Sequence, residues 1–202
     1  MTGIDSNLGA KIVQNIEIME GATTYVDGPI STTLSKEVAR IFGSKQKQFG
    51  WEGEQDEEDI ESNWIAPAEW MSPGSKKREF DLRFKFGATG PVDDINHWLS
   101  HFCGVAGTGV GVYLVAGLTA TKLKALIKRE EQLPKDLLQQ GLKFDADNDA
   151  YVLPVRIDRD ALAQGFADED LEAALAPFSE ALEKLHRARA TCDRFIEAIR
   201  GN

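Results

Sequence analysis

Cysteine is scarce in this chain, with two in 202 residues, Cys103 and Cys192, far apart in sequence. That is too few for a disulfide scaffold, and no CxxC pair is present. Each sits in an apolar helical pattern, Cys103 with Trp98, Leu99 and Phe102, and Cys192 with Phe195 and Ile196. Both read as free thiols in a reducing compartment. Long apolar runs are missing as well. The longest, from Val110 to Leu118, is interrupted by Gly111 and Gly117 and has about half the length a bilayer span needs. The N-terminus has neither a basic n-region nor an apolar h-region, so the expectation is a soluble, cytoplasmic protein with no membrane partner. Basic excess is also lacking. Lys plus Arg is 23 against 33 Asp plus Glu, a net charge of −10, which argues against nucleic acid as a partner. No repeat, low-complexity tract or long linker divides the chain. Residues 1–202 read as one domain, less regular through residue 62.

What is present is the balance of a globular chain, 42% hydrophobic and 28% charged, long enough to bury roughly 70% of its unfolded surface. Residues 11–27 fit two periods: Ile12, Ile16 and Met19 suit a helix, while Ile16, Ile18 and Thr23 to Val26 suit strands. Asp27-Gly28-Pro29 reads as a turn. Leu34, Val38, Ile41 and Phe42 predict a short helix, capped by Ser31 or Thr32 and ended by Gly43. Strands are predicted over 63–71 and 78–86. The second alternates, with Phe80, Leu82, Phe84 and Phe86 on a core face and Glu79, Asp81, Arg83 and Lys85 on the other. A helix follows over 93–103, then a buried strand over 109–116 and a helix from Thr119 or Thr121 through Ile127. A helical turn runs from Pro134 to Gly141, a hairpin joins Lys143-Phe144 to Tyr151–Ile157, and the C-terminus is helical from Asp158 with a break near 165–168. This order predicts an α+β (mixed α/β) fold. Its expected form is one central mixed sheet of about four to six strands, with helices packed on it and a long C-terminal helix.

Several constellations could carry chemistry. Asp94, His97 and His101 fall at i, i+3 and i+7 on the helix face opposite the apolar stripe. Two imidazoles four residues apart can reach one divalent metal, although HxxxH without a glutamate after the first histidine lacks a metalloprotease base. The plainer reading is a polar helix face. Asp145, Asp147 and Asp149 begin like an EF-hand loop, but Ala150 and Arg156 stand where that loop needs glycine and glutamate. A polar hairpin turn accounts for them. The run Gly104 to Gly111 leads from helix into strand, the reverse of a phosphate-binding loop, so no cofactor is predicted.

The charged face of the second strand supplies one more set, Glu69, Asp81 and Lys85. Together with the order helix, two or three strands, helix, strand, it resembles the core of the PD-(D/E)xK nucleases. The resemblance implies that Glu69 and Asp81 hold Mg²⁺ and that Lys85 helps polarise water in a metal-dependent nuclease or phosphodiester hydrolase. The match departs at Arg83, which occupies the lysine position after Asp81 and cannot release a proton at working pH.

Two features point to interaction instead. Seven acids stand in the ten residues from Glu52 to Glu61. They read as a solvated loop without regular structure or, more sharply, as a docking site for a basic partner. Leu171, Leu175, Phe178, Leu182, Leu185, Arg189, Cys192, Ile196 and Ile199 alternate at spacings of four and three. That is the a/d seam of a heptad helix with one polar break at Arg189, and Pro177 is the expected joint. The seam must be covered by the chain's own sheet and helices or by a second copy, so the expected assembly is a protein partner or homodimer through the 171–199 helix. The functional expectation is a non-enzymatic protein-interaction or accessory domain, with the nuclease as the alternative.

Overall fold

A long helical run opens the fold. The computed structural model describes residues 6–75, 79–90 and 97–201. In it α1 (Ser6–Gln14) and α2 (Ile16–Tyr25) lead through a π-helical turn, Val26–Ile30, into α3 (Ser31–Phe49). Helix thus settles the ambiguous segment 11–27, and the expected turn at Asp27-Gly28-Pro29 is a widened helical turn. Pro29 has no N–H to contribute, and nearby Ser31 Oγ donates to the Val26 carbonyl at 2.6 Å. The helix expected to end at Gly43 continues to Phe49 and stops at Gly50. There φ is 65°, a conformation glycine adopts without strain. Leu34, Val38, Ile41 and Phe42 form its buried stripe, as the spacing predicts.

Six strands, β1 (Glu52–Glu54), β2 (Trp64–Ala66), β3 (Leu82–Thr89), β4 (Gly109–Ala116), β5 (Lys143–Asp145) and β6 (Ala150–Val155), form one sheet in the order β1-β2-β3-β4-β6-β5. Every pairing among them is antiparallel, so the sheet expected to be mixed has no parallel pair among the described residues. The strand expected over 63–71 shortens to β2. Pro67 cannot donate to a ladder, a 3-10 turn follows over Ala68–Trp70, and pairing resumes only as the single bridge Met71–Phe80. A bend at Asp81 then interrupts the expected alternation. Leu82, Phe84 and Phe86 are buried, but Phe80 is half-buried and lies against Trp64, the register partner of Lys85 on the opposite face.

Of the helix expected over 93–103, the structure describes α4 (Trp98–Phe102), while Asp94 and Ile95 lie outside the described residues. Then come α5 (Ala120–Arg129), α6 (Gln132–Gln139), α7 (Arg159–Ala167), α8 (Glu172–Arg187) and α9 (Arg189–Arg200). The main core joins these helices to one sheet face: Phe84, Phe86, Leu114 and Leu153 meet Phe42, Phe102, Phe178, Leu182 and Phe195. The other face carries a small cluster of Tyr113, Ala150 and Val152 with Val115, to which no helix contributes. Among the described residues no helix is long and apolar enough to cross a membrane.

The heptad seam belongs to the main core. Leu175, Leu182, Leu185 and Cys192 are fully buried, and Leu171, Phe178 and Ile196 nearly so. The chain's own sheet and helices therefore cover these residues, and Ile199 at the end of the seam is half-buried. Pro177 lies inside unbroken α8, because the carbonyl it leaves free belongs to exposed Ala173, where water can serve it. The joint falls instead at Ala188. Arg189 sits at the seam's edge, 3.3 Å from Glu69 and 3.6 Å from Asp193, which spares the core an unpaired guanidinium.

Candidate functional site

The acidic run departs furthest from expectation. Glu52–Glu54 is strand β1 and Ile60–Ser62 a 3-10 turn, so a good part of the segment expected to be irregular has regular structure. Asn63, fully buried, closes the loop between them. Its Nδ2 donates to the carbonyls of Ile60 (2.9 Å), Asp56 (3.0 Å) and Asp59 (3.3 Å), and its Oδ1 accepts the Asp56 N–H (3.2 Å). Asp56 Oδ1 in turn accepts the N–H groups of Asp59 and Glu58, which hold its carboxyl below the ordinary value. Glu57, Glu58 and Asp59 remain exposed. Like charges that would repel one another in a free coil are held by the backbone bonds beneath them.

This loop forms one wall of a cleft of about 600 Å³, a size suited to a ligand or a partner's side chains. Glu57, Glu58 and Asp59 face Ser31, Thr32, Ser35 and Lys36 on the first turns of α3, with Asp27 and Trp98 also lining it. Four acids and one base line this space. The π turn places Asp27, whose Oδ1 lies 2.6 Å from His97 Nδ1. Trp98 leans on Phe86 and His101, at centroid distances of 5.3 and 5.4 Å. Ser35 is only 4% exposed, lines the cleft, and among the described residues its Oγ has no hydrogen-bond partner.

The structure separates the candidate metal ligands. His97 faces Asp27, whereas His101 is 6% exposed and its Nδ1 has no partner among the described residues. Burial lowers the pKa of His101 against an opposing pull from Glu61, so it stays neutral at pH 7. Asp94 lies outside the described residues, and among those described no three His, Cys, Asp or Glu side chains are grouped to hold a metal. Of the nuclease set, Glu69 and Asp81 both lie beside Arg200, which donates to the Glu69 carbonyl (3.0 Å), and Lys85 stands apart from them. Glu69 faces Arg189 at 3.3 Å, and Asp81 accepts from Ser72 Oγ (2.6 Å) and Arg200 Nε (2.8 Å). Both acids anchor arginines of α9. Lys85 lies on the opposite sheet face, beside Arg83 and Tyr113. Asp145 organises its hairpin by accepting from the Asp147 and Asn148 N–H groups, Asn148 Nδ2 and the Tyr113 hydroxyl. Burial raises its pKa, but bonds from Asn148 and Tyr113 outweigh that and leave the carboxyl below its ordinary value.

Sequence reasoning singled out the acidic run and His97 but missed Asp27 and Ser35. Nothing local signals them, because the cleft joins residues 27, 35, 58 and 98, which only the tertiary fold brings together. Comparison with known protein families, with characterised proteins and with solved structures gave no match.

Proposed function

We propose that this chain is a non-enzymatic protein-interaction domain whose acidic cleft docks a basic segment of a partner protein. One observation carries the reading: the backbone of the acidic loop is fixed by Asn63, which sets its acids opposite an aromatic wall, Trp98. A loop backbone already held in place meets a cation with little further backbone ordering on binding. An indole face attracts ammonium or guanidinium groups. The net charge of −10 adds long-range attraction for a basic partner and speeds encounter.

The test is calorimetric titration with a short arginine- and lysine-rich peptide, beside its glutamate-rich counterpart. The wild type binds the basic peptide, and the affinity falls steeply as salt rises from about 50 to about 300 mM. Glu57→Gln with Glu58→Gln weakens it about tenfold at low salt, the scale expected of fixed charge pairs. Binding that ignores both salt and the double substitution would refute the reading.

A further inference from the structure

A second groove carries the opposite charge. It is of about 600 Å³ and runs between the end of β6 and α8. Lys143, Arg156, Lys184 and Arg187 line it, with Glu180 as its one acid. In a chain of net charge −10, four cations converging on one groove run against the overall field. The helix dipole accounts for part of this, since Lys184 and Arg187 stand in the last turn of α8, where cations are favoured. It does not account for Lys143 and Arg156, which arrive from the sheet side.

These cations are also unspent. Among the described residues Lys143, Arg156 and Lys184 have no ion-pair partner, and Arg187 reaches Glu183 only at 3.9 Å. Glu183 is taken by Lys45, whose Nζ donates to it at 2.5 Å. The contrast with the other arginines is sharp. Arg40, Arg129, Arg189, Arg194 and Arg200 pair with acids. Arg83 lies over Trp64, and Arg159 donates to the Cys103 carbonyl. Arg156 alone among the described arginines has neither a polar partner nor a ring.

Between the charges the floor is apolar, made by Leu153, Val155 and Ala181. Beside it β6 runs beyond its edge partner: β5 pairs with Ala150 to Val152 only, so on that side Leu153 to Val155 have no neighbouring strand. Pro154 lies in this stretch, as prolines of sheet edges do. We propose that the groove docks an acidic segment of a partner protein, its carboxylates held by Arg156 and Lys184 and its apolar side chains on the floor. A guanidinium suits that task, because its planar fork matches a carboxylate with two bonds. An apolar floor suits a peptide that alternates acidic and apolar residues better than it suits a phosphate chain. A long polyanion would also have to pass the acidic surface elsewhere on the molecule.

The proposal does not depend on the acidic cleft, and the experiment separates the two. A fluorescent peptide alternating glutamate and leucine is titrated by anisotropy against the full chain at low salt. The expected result is saturable binding that falls about tenfold in Arg156→Gln with Lys184→Gln and is unchanged in Glu57→Gln with Glu58→Gln. Both groove side chains are exposed, so the variants should keep the wild-type Tm, and circular dichroism checks this. Equal binding by wild type and the groove variant overturns the proposal. So does tighter binding of a single-stranded RNA of the same charge than of the peptide. Self-association of the wild type that the groove substitutions abolish also overturns it, by assigning the groove to a second copy.

Discussion

At the scale of single residues, burial decides which side chains can react. Cys192 is fully buried, and burial, with the nearby charge of Asp193, pushes its thiol up to about 12. Only the thiolate attacks, so a maleimide at pH 8 should label half-buried Cys103 first and Cys192 only as the fold opens. Mass spectrometry of peptides from a labelling time course reads both rates, and equal rates would contradict the packing of α9. His101 gives a pH dependence of definite sign. Its folded pKa lies below the ordinary 6.5 because burial disfavours the imidazolium. The unfolded chain therefore binds the proton more readily, and stability falls as pH drops below 6.5 toward the folded pKa. His101→Gln should flatten that limb of a urea-midpoint-against-pH curve. An unchanged slope would mean that other groups carry the acid limb.

At the scale of elements, what the sequence made legible followed from local pattern. The apolar strand 109–116 has its expected bounds because Gly109 and the turn at Gly117 flank a short apolar run. The hairpin at 145–150 follows its Asp and Asn residues, and the stripe of α3 follows its spacing. Where tertiary contacts decided, the reading fell short. Gly43 did not end α3, because the helix goes on to bury Lys45 against Glu183 of α8. The acidic run is ordered by one asparagine just outside it, a residue no charge pattern points to. That gives a prediction for the loop. Asn63→Ala removes four hydrogen bonds to the loop backbone, one of them to the buried Ile60 carbonyl, so stability should fall by about 2–3 kcal/mol. Amide exchange should quicken across 54–62 while the strands β3 and β4 stay protected. Uniform exchange before and after the substitution would show that Asn63 does not hold the loop.

At the scale of the whole molecule, the α+β class was legible because the alternation and the heptad spacing each named a face to be buried. What the spacing could not say was what buries it. An a/d seam has the same apolar pattern whether it meets a second copy or its own sheet, and only the position of its polar break separates the two. Arg189 lies at the rim, tied to Glu69 and Asp193, and the seam residues on either side of it are buried within the chain. Leu182 is the sharpest probe, being fully buried beside Phe178 and Leu185. Leu182→Asp there would put a carboxylate among aliphatic and aromatic side chains. Such a change costs on the order of 4 kcal/mol or more, a large share of the roughly 5–15 kcal/mol that stabilises an ordinary domain. If the seam paired two copies, the variant would dissociate into folded monomers with a sharp melting transition. With the seam in the core, the variant should instead lose its near-ultraviolet dichroism and its cooperative melt, and sedimentation should show expanded or aggregated chains. A folded Leu182→Asp monomer melting near the wild-type temperature would place α8 elsewhere in the molecule.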